Sequence, residues 1–291
     1  MTVLEDRSVT PLADSLRPRR PWERLRAGAS SAALALDPLR LAGVALFLGA
    51  WQAATFALPP IILPTPAGVA GRICDDFWSA PALAYYGLGD ADLCGNLLYT
   101  AENVALAVAA GAALGIATGL LSARFALVRA VADPVVMTAG TVPIIIAAPF
   151  LLIWFGVGRT SAVCLVLFYV AVTLHIFAAR AARNVDPIYE QSARTLGAGS
   201  RRVLRDVMLP ATVPEILGGL RIALAGAWGL EAIAELLGSQ SGMGKVIEVL
   251  AGATDPQGIM ATLALLGLAA VLADLLAALA VARATHWSAA R

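Results

Sequence analysis

Glu231 and Glu235 stand one helical turn apart in an otherwise apolar run, so a helix there sets two carboxylates on one face. An ionisable group in the middle of a lipid-embedded helix costs roughly 2.5–3.5 kcal/mol on insertion scales, so such groups turn toward protein or water. Together with Trp228, the pair is a candidate lining for a translocation path. Two close carboxylates repel simple anions unless one is protonated, which leans toward a neutral or cationic solute. The competing arrangement is structural, a buried pairing with Arg221 or with neighbouring backbone. Asp274 and His175, lone polar groups in other apolar runs, read as interhelical hydrogen bonds rather than a proton relay. Asp133 reads as a helix cap, and Trp51, Trp154 and, as the alternative to a path role, Trp228 as interfacial or packing aromatics.

Other chemistries find no support. Cys74, Cys94 and Cys164 show no CxxC spacing, and His175 and His286 lie far apart, so zinc and thiol redox patterns are missing. The HExxH, GxSxG and paired-aspartate motifs of an intramembrane enzyme do not occur. GMGK at Gly242 to Lys245 imitates the end of a phosphate loop. Ser239 holds the earlier glycine position, however, and Val246 follows the lysine, so the cradle and the magnesium hydroxyl are lacking. No cofactor or metal is expected in the chain, and a net charge of +1 gives no argument for nucleic acid.

The elements that must carry these residues are set by lipid. With 59% hydrophobic and 14% charged residues and a mean hydropathy of +0.78, the 291-residue chain is too apolar for an ordinary soluble domain. A bilayer core needs about 20 apolar residues in helix. Six segments qualify, at about 39–58, 97–121, 128–155, 161–182, 213–237 and 259–282. The third contains Pro134, Pro143 and Pro149 and is not expected to be straight. Residues 1–38 read as a flexible cytosolic leader without signal-peptide pattern, and 39–291 as the transmembrane domain.

Arginine placement orients these segments. With both termini inside, the cytoplasmic side holds the arginines of the leader and Arg40, then Arg124 and Arg129, then Arg180, Arg183, Arg194, Arg201, Arg202 and Arg205, then Arg283 and Arg291. The opposite side holds only Arg72, Arg159 and Lys245, while Arg221 falls inside the fifth segment. Cys74 and Cys94 share the first exported loop, an oxidising setting compatible with a disulfide. Gly111, Gly115 and Gly119 form a smooth face on the second segment, suited to close packing within the chain more than to a dimer seam.

Between the fourth and fifth segments, the loop 183–210 is too polar for lipid and too patterned for a linker. Asp186 and Pro187 begin a short helix, Glu190 lies in its first turn, and Gly197 and Gly199 end it. A second helix is expected over Ser200 to Met208, with Arg201, Arg202 and Arg205 on one side, ended by Leu209 and Pro210. A short helix held between two membrane helices can dock in a partner's groove and pass force to both.

This loop resembles that of ABC importer permeases, which reads EAA, three residues, Gly, nine residues, Ile, any residue, Leu-Pro. Here Gln191, Ser192, Ala193, Gly197, Val207, Leu209 and Pro210 keep that spacing, with Gln for Glu, Ser for Ala and a glutamate displaced to Glu190. Supporting stretches are LPTPAGV, PIIIAAPFLLIWFGVG, NVDP, GLRIALAGAW and AELLGSQSGMG, closest to permeases for nitrate, sulfonate and taurine. The resemblance implies an all-α type I importer fold in the bacterial inner membrane, and a translocation pathway formed by a homodimer with a second permease copy or by a pair of related permeases. It also implies two cytosolic ATPase subunits, which alone carry ATP and magnesium, and an extracytoplasmic binding protein that delivers a small solute. It assigns the coupling surface to Glu190, Gln191, Ser192, Ala193, Leu196, Gly197, Ala198 and Gly199, with Leu209 and Pro210 pinning the return into the membrane. An ion-coupled secondary carrier, with Glu231, Glu235, Asp274 and His175 as coupling groups, is the alternative. It leaves the arginine-rich loop unexplained.

Overall fold

Helices account for every regular element that the computed structural model describes, which it does for residues 38–88 and 92–285. Apart from its last position, the expected leader lies outside the described residues, as does His286. A first unit ends at Leu58 and a second begins at Pro59. In the first, α1 (Pro38–Ala54) presents exposed Leu39, Leu41, Leu46 and Phe47. Its apolar core, Leu41–Ala54, is shorter than the other candidate spans.

The second unit opens with two short helices, α2 (Pro66–Asp76) and α3 (Pro81–Tyr85), inside the stretch expected to be an exported loop. Thr65 caps α2 by accepting from the Gly68 amide at 3.1 Å. Next come α4 (Leu93–Arg124), capped by Asp92, and α5 (Ala126–Thr141). A 3-10 turn (Ile144–Ala147) then leads into α6 (Ala148–Phe155). α5 and the segment after it are bent by 95°. Pro143 forces this break, because Val142 before it takes an extended conformation (φ −81°, ψ 125°).

α7 (Arg159–Asn184) packs along α4 in the most extensive seam of the unit. Gly111, Gly115 and Gly119 all face α7: a Cβ on Gly111 would lie 2.8 Å from the Val170 Cβ, and one on Gly115 would lie 3.0 Å from the Ala171 Cα. The glycine face is therefore spent on packing within the chain.

Past α7, α8 (Pro187–Thr195) and α9 (Ser200–Val203) form the connecting segment. A π-helical turn (Leu204–Met208) then runs directly into α10 (Leu209–Gly238). Leu209 and Pro210, expected to end a helix, do not. Pro210 has no N–H to offer Asp206, and the π turn reroutes the ladder so that the Leu209 amide bonds the Leu204 carbonyl, five residues back. Ser200 to Gly238 is thus one 39-residue helical body. α11 (Met243–Gly252) and α12 (Pro256–Ala284) complete the chain.

Among the described residues, four helices are long and apolar enough to cross a membrane: Leu93–Arg124, Arg159–Asn184, Ser200–Gly238 and Pro256–Ala284, with the bent α5–α6 pair as a fifth. The core that they enclose joins Val104 and Ala107 of α4, Val166, Val170 and Leu174 of α7, Ala223 and Ala227 of α10, and Met243 and Val246 of α11. Leu268, Leu272, Leu275, Leu276 and Leu279 leave one flank of α12 exposed and apolar, a surface suited to lipid rather than water.

Candidate functional site

Two regions gather the candidate residues, a polar cluster inside the bundle and the segment between α7 and α10. In the segment, Asp186 accepts from the Ile188 amide at 2.9 Å and starts α8, while Pro187 occupies the first turn. Glu190 and Arg194 pair at 2.7 Å along one side. Ile188, Tyr189 and Leu196 are exposed, Leu196 at 88%, so a nine-residue polar helix carries an apolar tip. Gly197 takes φ +81°, a left-handed conformation that closes the helix and turns the chain back toward α9. Glu190, Gln191, Ser192 and Ala193 thus lie on α8, and Leu196, Gly197, Ala198 and Gly199 in the turn that follows it, whereas Leu209 and Pro210 lie in the helical return. A cleft of about 640 Å³ separates α8 from α10, with Asp186, Tyr189, Asp206 and Glu215 among its walls.

Inside the bundle, Glu231 and Glu235 are both fully buried, and Trp228 is 6% exposed. None of the three lies on an open surface of the chain. Glu235 is held by named partners: the Thr100 hydroxyl, 2.9 Å from each of its carboxylate oxygens, and the Gly244 amide at 3.0 Å. Thr100 in turn accepts from the Met243 amide at 2.9 Å, and the Asn96 Oδ1 accepts from the Gly242 amide at 2.8 Å. α4 and α10 together grip the turn that connects α10 to α11. Gly242, at φ +104°, lies so close to the Glu235 carboxylate that a side chain would displace it. Of the two structural arrangements expected for these glutamates, Glu235 adopts the backbone one.

Arg221 is committed elsewhere. Its Nε and Nη2 donate to both Asp274 oxygens at 2.9 and 2.7 Å, joining α10 to α12. Glu231 lies beside Asn103, yet neither its carboxylate nor the Asn103 amide closes a hydrogen bond, and the Trp228 Nε1 is unpartnered as well, among the described residues. Three buried side chains with unused hydrogen-bonding groups therefore adjoin the Glu235 clamp.

His175 and Asp133 form a second network. The His175 ring lies 3.0 Å from the Thr118 hydroxyl and 3.2 Å from Asp133, which also accepts from Ser122 and pairs with Arg183 at 3.4 Å. Asp133 is not the cap expected of it. It lies within α5 and cross-links α4, α5 and α7. On the other side of the bundle, Arg72 bridges Asp76 at 2.8 Å and Asp255 at 3.3 Å. Burial raises the Asp76 carboxyl above its ordinary value, with Arg72 opposing and Asp255 and Asp75 adding to the rise. Cys74 and Cys94 are both free thiols.

The sequence offered a signal for the partners of Glu235 that went unread. Asn96, Thr100 and Asn103 recur at helical spacing on an apolar helix, and all three are fully buried. Polar residues at that spacing mark a face that meets other polar groups.

Several long apolar helices around a mainly apolar core, with an exposed helix held between two of them, are the architecture of a multi-pass membrane protein. Residues 111–286 match the family described as binding-protein-dependent transport system inner membrane component, and the chain belongs to that family of ABC importer permeases. The taurine transport system permease protein TauC of Escherichia coli (strain K12) is 29% identical over 238 residues, 81% of this chain and 84% of that protein. The putative aliphatic sulfonates transport permease protein SsuC of Bacillus subtilis (strain 168) is 32% identical over 156 residues, 54% of this chain and 56% of that protein. Among solved structures, the MetNI methionine ABC transporter in inward-facing form aligns with a TM-score of 0.59 at 20% identity, over 66% of this chain and 96% of the matched one. A bacterial alginate ABC transporter aligns with a TM-score of 0.52 at 17% identity, over 93% and 97%. The fold is that of type I ABC importer permeases.

Proposed function

We propose that this permease couples a cytosolic ATPase pair to solute import through α8, with Gln191 to Gly199 as the docking surface and both termini on that same, arginine-rich side. The supporting observation is the continuity of the chain behind the tip. Leu196 projects into solvent at a left-handed turn, and Ser200 to Gly238 follows as one helical body, so displacement of the tip moves α10. ATP and magnesium belong to the partner. Co-purification of the tagged chain with its genomic neighbours should recover an ATPase in equimolar ratio. Leu196→Asp, which puts a charge on the apolar tip, should cut transport at least tenfold while leaving membrane insertion intact. Unchanged transport would refute α8 as the coupling helix.

The solute is read as a small organic molecule of the taurine or sulfonate kind, handed over by an extracytoplasmic binding protein, with a second copy of this chain completing the pathway. Of the residues expected on the path, Glu235 is occupied as a structural clamp. Glu231 and Trp228, with unused hydrogen-bonding groups, are the ones left to meet solute when the bundle rearranges. Arg221 and Asp274, 42% and 36% exposed on otherwise apolar helices, are further support for a second copy or a watery path on that flank, since a bare ion pair in lipid is costly. Arg221→Ala should lower yield of the folded protein, and Arg221→Ala with Asp274→Ala should recover it, as detergent size-exclusion profiles will show; no recovery would mean that the pair is not the reason for either charge.

A further inference from the structure

Where the chain returns from α9 toward the membrane, two adjoining hollows form one cleft. The outer, about 130 Å³, has Arg124, Glu190, Arg194 and Ser200 at its mouth. The inner, about 20 Å³, is lined by Leu120, Ala182, Leu209 and Thr212. Ala123, Arg124, Leu204 and Met208 line both, so the charged and the apolar part of the cleft share walls. Its polarity thus runs in the same sense as that of an amphiphile entering from the bilayer surface.

The charge at the mouth is positive. Arg194 is neutralised by Glu190 at 2.7 Å, whereas Arg124, the last residue of α4, has no carboxylate partner among the described residues. The wall facing Arg124 is the π turn: Leu204 and Met208 are its first and last residues, and both enter the two hollows. A π turn accommodates an extra residue per turn, and such turns recur at functional sites.

We propose that this cleft binds an anionic phospholipid, the headgroup phosphate on Arg124 and an acyl chain laid outside it over exposed Leu204 and Leu209. Basic pockets between membrane helices on the cytoplasmic side select such headgroups. The leaflet assignment rests on the orientation proposed above, but binding itself does not. A free phosphate would use the mouth alone and leave the apolar walls uncovered. A lipid seated here braces the end of α4 against the root of the coupling segment, so the anionic lipid content of the membrane sets how firmly that root is held.

Native mass spectrometry of the full chain, taken from nanodiscs of phosphatidylcholine with a minor fraction of phosphatidylglycerol, tests this. The wild type should retain phosphatidylglycerol selectively, and Arg124→Ala should retain about fivefold less, the effect of one arginine at an anionic surface. Leu204→Trp keeps every charge but fills the apolar wall, and should lose the lipid similarly. Arg180→Ala, an exposed arginine outside the cleft, should retain it. Equal retention by Arg124→Ala and Arg180→Ala would reduce the lipid to an unspecific annulus and overturn the proposal. So would displacement by inorganic phosphate, which would make the mouth a simple anion site. Since no readout involves transport or ATP, failure here leaves the coupling role of α8 untouched.

Discussion

Gly115→Leu should leave no folded chain in the membrane, and Gly115→Ala should be visibly crippled. A Cβ on Gly115 would meet the Ala171 carbonyl oxygen at less than contact distance, and would lie 3.0 Å from both the Ala171 Cα and the His175 amide nitrogen. These are backbone atoms of the partner helix and cannot rotate away, so α4 and α7 must part along their length. Overpacking of this kind costs about 1–3 kcal/mol for a single methyl, and a leucine far exceeds that. The seam also carries the His175 to Thr118 contact, which separation breaks. Fluorescence-detected size exclusion and thermal melts in detergent will measure it. A Gly115→Leu chain of normal yield and melting temperature would show that the seam is not a close one.

Glu235→Ala is the second large effect. It orphans the buried Gly244 amide, about 1–3 kcal/mol, and leaves the Thr100 hydroxyl only the Asn96 carbonyl at 3.2 Å to donate to. The turn between α10 and α11 then loses its tie to α10 and keeps only the Asn96 and Thr100 contacts to α4. Glu235→Gln retains one acceptor and should fall between wild type and Ala, whereas Glu231→Ala, which breaks no hydrogen bond, should melt close to wild type. If Glu231→Ala melts lower than Glu235→Ala, the clamp has been assigned to the wrong carboxylate. Transport assays separate the two further: a substrate-dependent loss with Glu231→Ala at normal stability is the signature of a path residue.

Much of the architecture was legible because lipid permits so few solutions. Long apolar runs had to be helices, and the bend after Thr141 follows from Pro143. The spacing of Gln191, Gly197 and Pro210 located the segment between α7 and α10 and its turn. The return at Leu209 and Pro210 was misjudged, because a proline normally ends a helix and the π turn that accommodates it leaves no mark in local composition. Asp133 misled for a related reason. A carboxylate near the end of an apolar run looks like a cap, and only the approach of α7 shows that His175 and Arg183 claim it. The partners of Glu235 were hidden in the same way, since Thr100 is 135 positions distant and nothing local announces the contact.

The continuous helix from Ser200 to Gly238 has a bearing on the order of events in a transport cycle. Its root adjoins the turn at Gly197, and its far end carries Glu235, bonded to the amide of Gly244. At about 1.5 Å per residue, 39 residues span roughly 58 Å, enough to reach from one face of the bilayer to the other. The two faces are therefore geared to one shaft. A signal arriving at one face needs no relay of separate side chains to be felt at the other, and the α10–α11 turn cannot keep its own time.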